Sequence, residues 1–282
     1  MLPDAVTAEV FEGGEVRIDE RDSLVDRMSD LRASLARLGG LTCAALAETA
    51  NVSYLEVTIV PASAVPAEIG DALASFNCDM WVICGRAETR SGMWVMAGAA
   101  WRVMNEYGLA PGEEASLRSA ADAAIEAVFA HPEEDLAGIP RPDSRDWAMV
   151  PPCEVFAATV PPAVGMTEAS PGFPSDYVPS GPLWEILVAN GVATWCAWYE
   201  FVGEDSIIAE LQLHSGVGAP TPEQLADVRA QPIEVAGADA AYRIPGQTAD
   251  ADAVLVLRGP NRVLVGGDRP DASATAALTA LG

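Results

Sequence analysis

One stretch of this chain echoes another. Leu183–Ser215, LWEILVANGVATWCAWYEFVGEDSIIAELQLHS, reads as a helix, a Gly turn, a strand carrying Cys196 between two tryptophans, and a second strand. Leu31–Pro61, LRASLARLGGLTCAALAETANVSYLEVTIVP, has the same order. Cys43 matches Cys196 and Ser53 matches Ser206 at one offset of 153 residues (196 less 43). A chain written this way is a tandem duplication, so whatever fold one half adopts, the other must be able to share. That constraint is architectural. No stretch names a reaction.

Periodicity supplies the elements. Leu24, Met28, Leu31 and Leu35 make one helical stripe, capped by Asp22 or Ser23 and stopped by Gly39-Gly40. Leu55, Val57 and Ile59 alternate with Glu56 and Thr58, the pattern of a half-buried antiparallel strand. MWVICG, the polar segment RAETRSG and MWVMAG read as a hairpin, in which Trp81 and Trp94 can pair across the arms. A long insertion, Ala99–Glu114, precedes a helix at Ser116–Phe129. HPEEDLAGIPRPDSRDW, residues 131–147, is a Pro-rich acidic linker. The second half repeats the plan. A helix carries Cys153 and a strand runs Ala193–Phe201. The face Ile207, Ala209, Leu211, Leu213 follows, then a helix started by Thr221-Pro222. The hairpin VLVLRGPNRVLVGG and a last helix with Ala274, Leu278 and Leu281 complete it. Hairpins with helices to one side predict an α+β fold: two tandem copies of a two-layer domain, each an antiparallel sheet with helices packed on one side. The expected division is a first repeat at 1–130, the linker at 131–147 and a second repeat at 148–282. At 282 residues, two domains fit the ordinary size range.

Composition removes several function classes. The formal net charge is −25, and all sixteen basic residues are Arg. Nucleic acid is not an expected partner, because its binding needs basic patches that displace counterions from phosphate. The lack of lysine removes Schiff-base chemistry and the phosphate-loop lysine. No run of about 18 apolar residues predicts a transmembrane helix. MLPDAVTAEVFEGGEVRIDE lacks the charged and apolar regions of a signal peptide, so taken literally the chain is cytoplasmic.

The cysteines argue the other way. There are five, Cys43, Cys78, Cys84, Cys153 and Cys196, with no CxxC pair and no His at ligand spacing, so no metal site is expected. Cys153 and Cys196 fall on elements that should be packed neighbours. They form either a bridge that staples a loop-rich segment or two buried thiols. Cys78 and Cys84 flank MWVI. A regular strand would hold them too far apart to bond, and pairing needs a bend near Asp79.

The order PPCEVF, helix, ATWCAW, alternating strand and VLVLRGPNRVLVGG hairpin resembles exported, often lipid-anchored, actinobacterial domains of unknown function. The resemblance covers most of residues 148–282 and extends more weakly over 1–130. It implies a Cys153–Cys196 disulfide, an envelope location and no assigned activity. The chain departs from that pattern in two ways. It lacks the lipid-attachment cysteine, and its first half has no counterpart to Cys153. Its location is then the cell envelope or the extracellular space if a signal lies upstream of this sequence, and the cytoplasm otherwise.

Chemistry is thinly represented. His131 precedes Pro132 in the linker, and His214 ends a strand on the face with Ile208, Glu210 and Gln212. Neither belongs to a catalytic motif, and both read as solvated surface residues. Asp250 and Asp252 lack the Gly and Glu of a calcium loop. Trp195, Trp198 and Tyr199 share one strand. The three read either as core packing or as an aromatic patch for a ligand or partner, and because Trp195 and Trp198 have opposite parity, one of those two should be core and the other nearer the surface. The reading that follows is a non-enzymatic binding or interaction protein without cofactor, partnered by an unknown protein or small molecule, with no catalytic residue. The alternative is a cytoplasmic enzyme of unrecognised class using acidic residues between the two domains.

Overall fold

The computed structural model describes residues 7–8, 10–12, 14–18, 27–47, 52–73, 75, 77–78, 83–100, 111–130, 150–166, 170–171, 182–202, 204–248 and 251–281. By compactness the chain divides into two units. One is Met1–Glu20 with Leu35–Pro142, the other Arg21–Ser34 with Asp143–Gly282. The expected boundary kept 1–130 together, whereas the stretch 21–34 counts with the second unit. A buried hydrogen bond between Ser34 and His214 lies at its end. The linker residues 131–147 lie outside the described residues.

The first unit runs β1 (Val16–Ile18), α1 (Arg27–Arg37), β2 (Leu41–Ala47), β3 (Tyr54–Pro61), α2 (Ala67–Leu73), β4 (Asn77–Cys78), β5 (Ile83–Arg90), β6 (Met93–Ala100) and α3 (Pro111–Phe129). Of α1, only the residues from Leu35 onward belong to this unit. Gly39, at φ 75°, turns the chain out of α1 while Gly40 N–H closes on the Leu35 carbonyl. The sheet has the order β1-β2-β3-β6-β5-β4, with every pair antiparallel. Leu55, Val57 and Ile59 of β3 and Val95, Ala97 and Ala99 of β6 pack against Leu117, Ala121, Ala124 and Ile125 of α3. The alternation in the strands and the helical spacing in α3 thus meet in one apolar layer, the main source of stability for such a unit.

Two expectations need correction here. The RAETR segment is strand, not connection. The turn is the two-residue Ser91-Gly92, with φ of 54° and 77°, both positive as the twist of a tight hairpin requires. The register therefore sets Trp94 opposite Thr89, not opposite Trp81, which lies outside the described residues. The supposed insertion is shorter than 99–114, because β6 continues to Ala100 and α3 begins at Pro111.

The second unit runs α4 (Glu154–Ala157), α5 (Val160–Val164), β7 (Ser170–Pro171), α6 (Pro182–Ala189), β8 (Ala193–Val202), β9 (Glu204–His214), α7 (Pro222–Asp227), β10 (Gln231–Ile233), β11 (Ala240–Thr248), β12 (Ala251–Arg258), β13 (Asn261–Gly267) and α8 (Pro270–Ala280). Thr221 caps α7 in a reciprocal box with Gln224, and Pro222 follows it at the first turn. The nine-residue β11 (Ala240–Thr248) is absent from the sequence expectation, and it carries Pro245-Gly246, residues that ordinarily interrupt a strand. Its register with β12 shifts between Ile244 and Thr248, so the Pro-Gly pair occupies an irregularity and the ladder resumes beyond it.

Read from β7, this sheet has the order β7-β8-β9-β13-β12-β11-β10. Its first six positions repeat those of the first sheet, so the fold is α+β in two tandem antiparallel domains. One insertion breaks the correspondence. Trp198 pairs with Ala209 and Tyr199 with Ile207, which leaves Ile208 as a bulge in β9. The Ile208 carbonyl accepts from the Asp268 N–H. Gly267 passes beside it at φ 103°, where a Cβ would collide with that carbonyl.

Candidate functional site

Cys153 and Cys196 are joined by a disulfide, with Cα atoms 5.4 Å apart. The bond ties the N-terminal end of α4 to β8, and Cys196 lies in the core with Phe156, Val160 and Leu211. Cys43 occupies the matching face of β2, opposite Val57 as Cys196 is opposite Leu211, and it is free and half-buried. The β4–β5 register sets Cys78 and Cys84 opposite each other on separate strands. The reversal that one straight strand would forbid is thus present, while their side chains lie outside the described residues.

The aromatic strand divides by parity. Trp198 is core, at 1% exposure. Trp195 points to the other face of the sheet, half-buried, with its ring edge-on to Trp184 of α6 at 6.2 Å. Tyr199 is partly exposed next to the bulge.

On the Trp195 face, β9 carries a polar row: Glu210, Gln212 and His214. The register aligns His214 with Ala193 and Arg262, Gln212 with Trp195 and Leu264, and Glu210 with Ala197 and Gly266. All three polar residues and Arg262 are buried. Gln212 Nε2 donates to Glu210 Oε1 at 3.0 Å, and Arg262 donates to the Gly218 carbonyl at 3.2 Å. Ser34, fully buried on α1, shares a 3.0 Å hydrogen bond between its Oγ and His214 Nδ1. The solvated surface expected for His214 is therefore wrong: it is 2% exposed. Burial holds its pKa far below the ordinary value, at about 3, and the Arg262 guanidinium pushes in the same direction. The imidazole is neutral throughout the physiological range. His131 lies outside the described residues.

A serine hydroxyl on an imidazole nitrogen is the skeleton of a nucleophile–base pair. Three features separate this one from a working dyad. The hydroxyl has no access to solvent, the ring is sealed, and among the described residues no carboxylate hydrogen-bonds the second nitrogen. A pKa of about 3 also makes the imidazole a poor base near neutrality. Among the described residues no group of three His, Cys, Asp or Glu can hold a metal ion, and no helix is long and apolar enough to cross a membrane. The Asp252 carboxylate is engaged by the Gly246 N–H and by Arg243, while Asp250 lies outside the described residues.

Sequence reasoning missed Ser34 and Arg262. A signal existed for Ser34: at the repeat offset its counterpart is Leu187, buried on α6, so a polar residue stands at a core position of the repeat. For Arg262 the matching position is Trp94, and only the strand register reveals it.

No protein-family model and no curated protein matches this chain. Among solved structures, the di-domain ARO/CYC StfQ from the steffimycin biosynthetic pathway aligns with it at 9% identity, over 95% of this chain and 90% of its own, with a TM-score of 0.15. That likeness is too slight to bear on fold or on activity.

Proposed function

We propose that the protein works by binding, as a non-enzymatic interaction protein of the cell envelope built from two copies of one α+β domain. The observation that carries this reading is the state of His214. The described histidine is neutral, sealed and committed to Ser34, which leaves it unsuited to acid–base work. The Cys153–Cys196 disulfide suits an oxidising compartment. The net charge of −25 favours a cationic or neutral partner, whose association weakens with salt. Trp195, half-buried beside Trp184, is the residue we assign to partner contact, because aromatic side chains supply large contact area at small entropic cost. The Trp198 side chain is excluded by its burial.

The test is binding of the labelled protein to an envelope fraction of its source bacterium, as a function of salt. Trp195→Ala should weaken binding at least about tenfold, the loss of one hot-spot aromatic. His214→Gln should leave it within about twofold. Loss of function from His214→Gln with folding preserved and Trp195→Ala silent would point to the enzyme reading instead.

A further inference from the structure

We propose that Arg27–Ser34 is an acid-released strap on the second unit, held by the buried hydrogen bond between Ser34 and His214. The contact joins positions 180 apart in sequence, and both partners are sealed from water. Among the described residues, the groups that face the imidazole are few. Arg262 lies opposite on β13, Ala193 opposite on β8, and Gln212 with its Glu210 partner lies further along β9. Arg32 is the charged residue among the described side chains of the strap. Among the described residues, none of the groups that face the ring directly is a carboxylate able to compensate an imidazolium. The docked strap therefore requires the neutral ring, in keeping with its strongly lowered pKa. Any opening that wets the ring relieves its desolvation and raises its affinity for a proton, with Arg262 opposite on β13 still holding that affinity below the ordinary value. Below the open-state pKa the open form gains up to about tenfold for each pH unit, at most roughly 30-fold at pH 5 relative to pH 8. The device is independent of which partner, if any, the protein binds.

Hydrogen–deuterium exchange of the full chain between pH 8 and pH 5, corrected for intrinsic amide chemistry, tests the proposal. In the wild type, opening of the peptide spanning 27–34 should rise toward pH 5 by up to about 30-fold, and at every pH it should open more readily than the β9 and β13 amides, whose exchange tracks global unfolding. His214→Gln, which keeps a neutral hydrogen-bonding group, should be flat over the same range. Ser34→Ala should open more at every pH and keep the wild-type slope, since the ring still takes up a proton on opening. An equal slope in His214→Gln overturns the proposal. So does equal protection of 27–34, β9 and β13 at every pH, which is opening by global unfolding alone. Ser34→Ala opening no more than wild type at pH 8 would also overturn it, by removing the hydrogen bond as the holding contact.

Discussion

The two units share a strand order but fill one sheet face differently. In the first, β3 presents Glu56, Thr58 and Val60 on the face turned away from α3, with Trp94 of β6 opposite Val60. In the second, β9 presents Glu210, Gln212 and His214, with Arg262 of β13 opposite His214. The glutamate is retained, and each accepts a hydrogen bond from a neighbour two residues away on its own strand, Tyr54 or Gln212. The apolar Val60–Trp94 pair has become an imidazole beside a guanidinium. An apolar pair is indifferent to pH, whereas a buried neutral histidine is not. Duplication therefore preserved the apolar layer, which any copy needs to fold, and left the opposite face free to acquire ionisable groups.

The cysteines differ in the same spirit, and the largest expected effect lies there. Cys196 is bonded, while its counterpart Cys43 is free. Removing the bridge with Cys153→Ala and Cys196→Ala should cost about 4 kcal/mol in denaturant unfolding, the loop-closure value for a separation of 43 residues. Cys43→Ala should cost about 1 kcal/mol or less, since the side chain is small and half-buried. Equal costs would erase the contrast between the units.

Next in size is the bulge, which the first unit lacks. Gly267→Ala forces a left-handed backbone and a clash with the rigid Ile208 carbonyl, and should cost about 3 kcal/mol. Gly92→Ala at the first unit's hairpin meets open space and should cost about 1 kcal/mol from backbone strain alone. A silent Gly267→Ala would mean that the bulge is not a built feature.

The histidine adds a pH dependence that the first unit does not carry through Val60. With the folded pKa below the unfolded one, the unfolded chain binds more protons between the two values. The contribution of His214 is therefore fully present above pH about 6.5 and is lost as pH falls toward about 3. At pH 5 the loss should be about 2 kcal/mol, read as the difference between wild type and His214→Gln in pH-dependent unfolding. No difference between the two proteins at pH 5 would place His214 in contact with water.

The smallest effects concern a feature both units keep. Arg90 and Arg258 each end the strand before the hairpin turn, and each reaches the C-terminal end of the long helix. Arg90 lies over the Phe129 ring at 4.0 Å, and Arg258 donates to the Leu278 carbonyl at 2.8 Å. Arg258→Ala should cost about 1.5 kcal/mol, as a charged donor to a helix end. Arg90→Ala should cost about 0.5 kcal/mol, as an exposed cation on an aromatic face. Thermal unfolding of the two variants would rank them, and the reverse order would mean that the first unit leans more on its exposed contact.

Much of this architecture is legible in the residues. The offset linking Cys43 to Cys196 and Ser53 to Ser206 announces the duplication. The alternation of Leu55, Val57 and Ile59 and the spacing of Leu117, Ala121, Ala124 and Val128 announce the layer between sheet and helix, because burying apolar surface requires those periods. Other features depend on what lies above a face. Glu210, Gln212 and His214 alternate with Ala209, Leu211 and Leu213, and a row of polar residues at that period ordinarily meets water. Only the fold brings Ser34 over His214 and Trp184 over Trp195, and that cover turns a nominally wet face into a buried one with a depressed imidazole pKa. Local pattern fixes which residues share a face. Whether that face is dry is set by segments far away in the chain, and the cost of burying a charge follows from that alone.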